Sequence, residues 1–279
     1  MRVWASSAAL LAMALPTLVR AQSGATAGVT AGAAKLSDVR TELAVTGILQ
    51  LRPRRWLTLS AIPSFIRVSD SLNGQRVWHS GVGDLPLVLG AAQSLPGAWS
   101  PIVGAALIFS LPTGNAACGL GAGETGLGLD GGIGVAPVAR LRLSASASRS
   151  LGGFAQSQLS APSATAVRLE GGYALSSRLM ASAAFGADLG SGDSTQGLSR
   201  VVGAGAVYQI AGPLALTLDA SHGLTPASPR WVVSLGLGTA FIGTSPVSPS
   251  SPLRRLKDSF TGSVNRGHGA GKTGTTTCS

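Results

Sequence analysis

Charge is scarce in this chain. Of 279 residues, 11% are Asp, Glu, Lys or Arg, against about 25% in a typical soluble domain. Aromatic residues are also few, at 5%. Beyond an N-terminal segment there is no uninterrupted apolar run of the ~20 residues that a membrane-crossing helix needs. The first shortage argues against a cytosolic globule, and the last excludes a bundle of transmembrane helices. The three histidines, His79, His222 and His268, stand at no metal-ligand spacing. No metal or cofactor is expected. The formal charge is +10, yet no basic stripe is interleaved with aromatics, so nucleic acid is not an expected partner. The basic residues gather in the tail, at Arg254, Arg255, Lys257, Arg266 and Lys272, or stand beside turns, as at Arg52, Arg54, Arg55, Arg140 and Arg178.

Glycine is plentiful, at 39 residues, and apolarity is diffuse, with a mean hydropathy of +0.35. The apolar residues recur with period two. In 38–52, Leu43, Val45, Leu49 and Leu51 share one side, and Arg40, Glu42, Thr46 and Gln50 share the other. That alternation reads as a strand with one greasy and one wetter face. The same pattern returns in 56–68, where Pro63 predicts a bulge or break and a phase slip that would move Arg67 off the apolar side. It returns again in 84–93, in 101–111, from Leu127 to Val135, and through to a last strand whose apolar side carries Trp231, Val233, Leu235, Leu237 and Phe241. Eleven such segments are legible. Short connections near Pro53, Pro96, Ala136, Ser176 and Gly212 alternate with long ones near Asp70, Gly121, Gly153, Gly192 and Pro226.

Short turn and long loop in strict alternation is the rhythm of an up-and-down transmembrane β-barrel, with turns in the periplasm and loops outside. The fold class expected is all-β: a transmembrane antiparallel barrel. The segment beginning at Asp38 descends to a short turn and so begins outside. A chain exported to the periplasm needs a rising strand before it, and the weak Ala/Gly/Thr segment 25–34 supplies it by parity, making twelve.

Residues 1–21 read as a secretory signal peptide, with Met1-Arg2, an apolar core from Ala8 to Val19 and a small-x-small site ending at Ala21. Residues 22–243 are the expected barrel. Residues 244–279, rich in Ser, Pro and Gly, are expected to form a disordered basic periplasmic tail. Cys118 then falls in an external loop and Cys278 in the tail, on opposite sides of the membrane, so no intramolecular disulfide is expected. The location implied is the outer membrane of a Gram-negative cell, with its lipid and the barrel-insertion machinery as partners and the oligomeric state open.

Charges are costly in lipid. The strand-borne ionisable residues Arg40, Glu42, Arg142, Arg168, Glu170 and Asp219 lie opposite the apolar rows and are therefore the lumen-lining candidates. They line a conduit or satisfy one another across the barrel; the pattern alone leaves both open. A lumen face of Gly, Ala and Ser leaves space and favours a channel. Gly121, Gly123 and Gly126 match a dinucleotide fingerprint in spacing, but that motif requires a helix after it and period two follows instead. Gly271-Lys272-Thr273 lacks the glycine and the preceding strand of a phosphate loop. Asp219 and Ser221 share a face, whereas the neighbouring His222 points the other way and is badly placed to act as a base. No enzyme is expected.

Two short motifs carry a family signal: Gly81-Val82-Gly83-Asp84 before a strand and Ser110-Leu111-Pro112-Thr113-Gly114 closing the next, followed by a Gly-rich strand. In these, and in rhythm over about 38–243, the chain resembles the outer-membrane transporters of the meta-pathway phenol-degradation family. The resemblance implies a twelve-stranded barrel and passage of small hydrophobic or aromatic solutes. It implies structural roles for Gly81, Gly83 and Asp84 as a turn-and-rim element and for Pro112, Thr113 and Gly114 as a strand exit. The basic tail departs from the usual aromatic barrel ending, which places Phe241 near the natural end. The function expected is an outer-membrane, porin-like channel; the alternative is a structural or adhesive barrel with a closed lumen, and a lipid-acting enzyme comes third.

Overall fold

Why the alternating segments become strands is visible in their burial. In Arg40–Arg54, Glu42, Ala44, Thr46, Ile48 and Gln50 are buried while Leu43, Leu49 and Leu51 are exposed. Apolar side chains face outward and polar ones inward, the reverse of a water-soluble sheet and the arrangement that lipid requires. The computed structural model describes residues 24–72, 75–153, 165–189 and 198–241. The expected signal peptide and the expected tail lie outside these residues.

The strands are β1 (Ala25–Lys35), β2 (Arg40–Arg54), β3 (Leu57–Ala61 continuing as Ser64–Leu72), β4 (Gln75–Val82 continuing as Leu85–Ser94), β5 (Ile102–Leu111) and β6 (Gly126–Val138). They continue as β7 (Leu141–Gly153), β8 (Thr165–Ala174), β9 (Leu179–Leu189), β10 (Arg200–Ala211), β11 (Leu214–Gly223) and β12 (Trp231–Gly238). Each strand is antiparallel to the next, and β1 pairs with both β2 and β12, closing the sheet into a twelve-stranded barrel. The weak first segment is therefore the closing strand. Its ladder runs from Ala25 opposite Leu51 to Lys35 opposite Thr41 on one side, and from Gly28 opposite Gly238 to Lys35 opposite Trp231 on the other. Closure removes every sheet edge, which a barrel in lipid must do.

Several local expectations are corrected. The polar stretch after Val68 is not a long loop but the upper half of a hairpin, with Phe65 opposite Val82 and Leu72 opposite Gln75. Long polar strands reach beyond the apolar band there, so polarity alone misread them as loop. Pro63 interrupts β3 without shifting its register on β2: Gln50 faces Ser60 below it and Thr46 faces Ser64 above. The slip lies in β4 instead, where Gly83 and Asp84 form a bulge between the two segments. Arg67 therefore stays on the outer face, opposite Leu43 and Ser80, with its guanidinium carbon 4.4 Å from the centroid of the Trp78 ring. A cation stacked on an aromatic at the long-loop end sits at headgroup level, where both groups are favourable. The turn expected at 136–138 falls at Ala139 and Arg140.

Outward Trp78 and Trp231 mark the long-loop end of the band, and Trp56, Trp99, Tyr173 and Tyr208 mark the short-turn end; all six are exposed. Two aromatic girdles flanking an apolar belt are the pattern of a barrel that spans a membrane.

A candidate conduit beside an inward-folded loop

The connection from β5 to β6 does not stand outside the barrel. Asn115 starts one 3-10 turn, Ala116–Cys118, its side-chain oxygen accepting the N–H groups of Ala117 (3.0 Å) and Cys118 (3.4 Å). Gly119 ends it in a left-handed conformation, φ +69°, which few other residues tolerate. The chain thus turns back and carries Cys118 and Leu120 into the lumen. Both are buried, packed with Ala34 of β1, Ala44 of β2, Ile66 and Val68 of β3 and Val232 of β12. Gly81 of β4 makes room, since a Cβ there would stand 2.8 Å from Leu120 Cδ1.

The two motifs of the sequence meet at the base of this loop. Asp84, released from the ladder by the β4 bulge, accepts the N–H of Gly114 at 3.1 Å and that of Ala122. Thr113 Oγ1 donates to the carbonyl of Gly83 at 2.7 Å. Gly114 and Gly121 cross so closely that a Cβ on Gly121 would lie 2.8 Å from the Gly114 Cα. Gly83 and Asp84 are therefore part of the barrel wall and the loop's anchor, not a rim turn. Pro112-Thr113-Gly114 leaves the strand only to bend inward.

Arg40 holds the far side of the loop. Its guanidinium donates to the Gly119 carbonyl at 3.0 Å and to Glu42 Oε1 from Nε (3.0 Å) and Nη2 (2.8 Å), with Asp70 Oδ2 3.7 Å away. The Glu42 side chain is 1% exposed and that of Arg40 19%. Of the two options the sequence left open for these residues, Arg40 and Glu42 satisfy one another. Removing one partner of a buried pair costs about 3–5 kcal/mol. Glu42→Gln keeps the volume and one acceptor, so unfolding from detergent micelles should show a loss of about 3 kcal/mol. A change below about 0.5 kcal/mol, the scale of a surface pair, would remove this pair from the anchor.

At the short-turn end the interior is also occupied. β12 stops at Gly238; the N–H groups of Thr239 and Ala240 donate to the Ala27 carbonyl at 2.7 and 3.2 Å, and the chain bends inward. Phe241 is 5% exposed, against Ile48, Ile62, Val88, Ala106 and Ala215 from inward rows. The alternation from Trp231 predicted Phe241 in the lipid-facing row. It fails because the strand ends before that position.

The buried residues of the two fillings come from the arc running from β11 through β1 to β5, and the fillings reach across to touch Ala184 of β9 and Val207 of β10. On the other arc, among the described residues from 122 to 214, none is buried. On that arc the inward row of β6 is Gly126, Gly128, Asp130, Gly132 and Gly134, facing Ser144, Ser146 and Ser148 of β7. Arg168 of β8 stands opposite Ser146 and Gly186, Glu170 opposite Ser144 and Ala184, and Arg142 opposite Gly172. Asp219 of β11 differs: it is buried, opposite Gly205 and Ser234. Asp70, Asp130 and Asp188 stand on inward rows too and were not singled out from the sequence, although the same alternation selects them. Ser221 lies on the inward row opposite Gly203 and Val232, whereas His222 is outward beside Val202 and Trp231. A hydroxyl and a base on opposite faces of a strand do not make a nucleophilic pair.

Cys118 is disulfide-bonded. The expectation of no intramolecular disulfide assumed an external loop; the loop instead folds into the barrel interior. The chain's other cysteine, Cys278, lies outside the described residues.

Comparison with known proteins supports the fold. No family model and no curated protein matches the chain. Among solved structures, an outer membrane channel from Pseudomonas putida F1 superposes with a TM-score of 0.59 at 19% identity, covering 77% of this chain and 95% of that one. The NanC porin gives 0.50 at 9% identity, covering 76% and 97%. The KdgM porin in complex with disordered oligogalacturonate gives 0.50 at 6%, also covering 76% and 97%. The barrel is of the outer-membrane class.

Proposed function

We propose that this chain is an outer-membrane channel for small solutes, of the kind the meta-pathway phenol-degradation family represents, reached by export with a signal peptide and placed by the barrel-insertion machinery. The observation that carries this reading is the asymmetry of the interior. One arc supplies the buried residues around the β5–β6 loop and Phe241, while the inward rows of β6–β10 bear mostly glycine, alanine and serine, with Met180, Val201 and Val207 the larger apolar members, and have no buried residue among those described. Small side chains keep a passage free, and hydroxyls with Arg168 and Glu170 on one wall bind water and weakly orient a passing solute. Charges opposite an apolar loop suit small amphipathic molecules, phenols among them.

Purified protein in planar bilayers should conduct, and proteoliposomes should swell faster in small phenols than in disaccharides. Absence of both conductance and swelling would sink the channel and leave the closed structural or adhesive barrel, which the two inward fillings favour. The wall itself is tested by bulk. Ser146→Trp points into the proposed passage and should lower conductance by more than half, whereas Ala145→Trp points into lipid and should leave it unchanged. Equal effects would move the passage elsewhere.

A further inference from the structure

We infer that the outer surface of the barrel from β12 through β1 to β4, at the long-loop end, binds the phosphorylated sugar headgroup of one outer-leaflet glycolipid. The ladder registers place its groups. Lys35 stands opposite Trp231 on one side and Thr41 on the other, Thr41 opposite Ser69, and Ser69 opposite Trp78. These five form one continuous row on five neighbouring strands. The row faces outward, because the next residues along the chain, Ala34, Glu42, Val68 and Val232, are buried inside. An amine and two hydroxyls thus lie between two exposed tryptophans. Four strand spacings of about 4.8 Å set the tryptophans roughly 19 Å apart, with room between them for a two-sugar headgroup.

The outward rows on either side differ in chemistry. Toward the middle of the membrane the next row is Val233, Ala33, Leu43 and Arg67. It is apolar except for Arg67, whose guanidinium carbon is held 4.4 Å from the centroid of the Trp78 ring. Toward the loops, Arg76 stands opposite Ser71 on the same outer face. From the middle outward the surface therefore offers contacts for acyl chains, then hydroxyls and cations between tryptophans, then a further cation. That is the order of groups in an acylated, phosphorylated sugar standing at an interface. The acids do not compete: Glu42 and Asp70, on the same strands, are on inward rows, and Asp38 in the β1–β2 turn is paired with Arg230. Lys and Arg contacts to phosphate are charge-assisted and strong, and beside an apolar belt they are screened less than in open water. The inference goes beyond the channel reading and does not depend on it; it takes the long-loop end as the external one.

The test is native mass spectrometry of the purified full chain in detergent, titrated with diphosphoryl lipid A. The first lipid A should bind at least tenfold more tightly than phosphatidylglycerol, and monophosphoryl lipid A should bind several-fold more weakly than the diphosphoryl form. Lys35→Gln/Arg67→Gln/Arg76→Gln should lower the affinity at least tenfold, and Trp78→Leu several-fold. Arg149→Gln/Arg200→Gln should leave it unchanged: those arginines also face outward at this end, but beside Leu129, Thr165 and Ala187 and not between tryptophans. The electrophoretic shift between heated and unheated samples reports that each variant is folded. Equal affinity for phosphatidylglycerol would reduce the surface to a generic contact with anionic lipid and overturn the site. Affinity kept by the folded triple variant, an equal loss in the Arg149→Gln/Arg200→Gln control, or indifference to the number of phosphates would each overturn it too.

Discussion

Asp84→Ala should raise single-channel conductance several-fold, measured with Cys118 reduced so that no covalent tether restrains the loop. The carboxylate accepts the N–H groups of Gly114 and Ala122 at the two ends of the loop's base. Without it each amide loses its partner in a largely buried setting, at about 1–3 kcal/mol apiece. Against that stand the return of Leu120 to water, about 1.5–3 kcal/mol, and the loss of the Arg40–Gly119 hydrogen bond, about 1.5–3 kcal/mol, so the two sides are of similar size and the variant loop spends part of its time outside the lumen. Asp84→Asn retains one acceptor oxygen and should fall between the alanine variant and the wild type. Conductance of the alanine variant equal to wild type, with the barrel still folded, would show that Asp84 does not hold the constriction.

Leu235→Arg should sharply lower the yield of folding into lipid. Leu235 lies mid-strand on the outward row of β12, 51% exposed, between Ala31 of β1 and Leu218 of β11. Arginine at the bilayer midplane costs about 2–4 kcal/mol, a large part of the ~5–15 kcal/mol that stabilises a typical domain. The matching inward substitution belongs at Ser146, not at its neighbour Ser234, which the alternation pattern would suggest: Ser234 is 5% exposed and packed beside Gly32 and Asp219, whereas Ser146 faces the accessible arc. Ser146→Arg should fold into liposomes with a near wild-type yield, read by the electrophoretic shift between heated and unheated samples. Folding of Leu235→Arg at that same yield would reverse the assignment of faces.

Much of the wall was legible from period-two patterning, because in lipid each strand must turn apolar side chains outward and keep charges off that face. That rule placed Leu43 and Leu235 outside and Glu42, Arg168 and Asp219 inside, and parity demanded β1 although its Ala/Gly/Thr sequence is weak. Where the rule has no purchase, reading failed. The polar hairpin of β3 and β4 rises beyond the apolar band, so nothing in its composition separated strand from loop, and Pro63 suggested a slip that the register places at Gly83 and Asp84.

What the sequence by itself determined about this protein is therefore the class of barrel, its strand count and the facing of most of its side chains, all consequences of a local constraint that repeats along the chain. What only the tertiary structure decided is the contents of the lumen. The pairing of Asp84 with Gly114 and Ala122, the hold of Arg40 on Gly119, the burial of Leu120 and Cys118 and the inward turn of Phe241 join residues far apart in the chain. No periodicity records such contacts, since they depend on closure bringing the β4 bulge, the β5 exit and the end of β12 around one small interior.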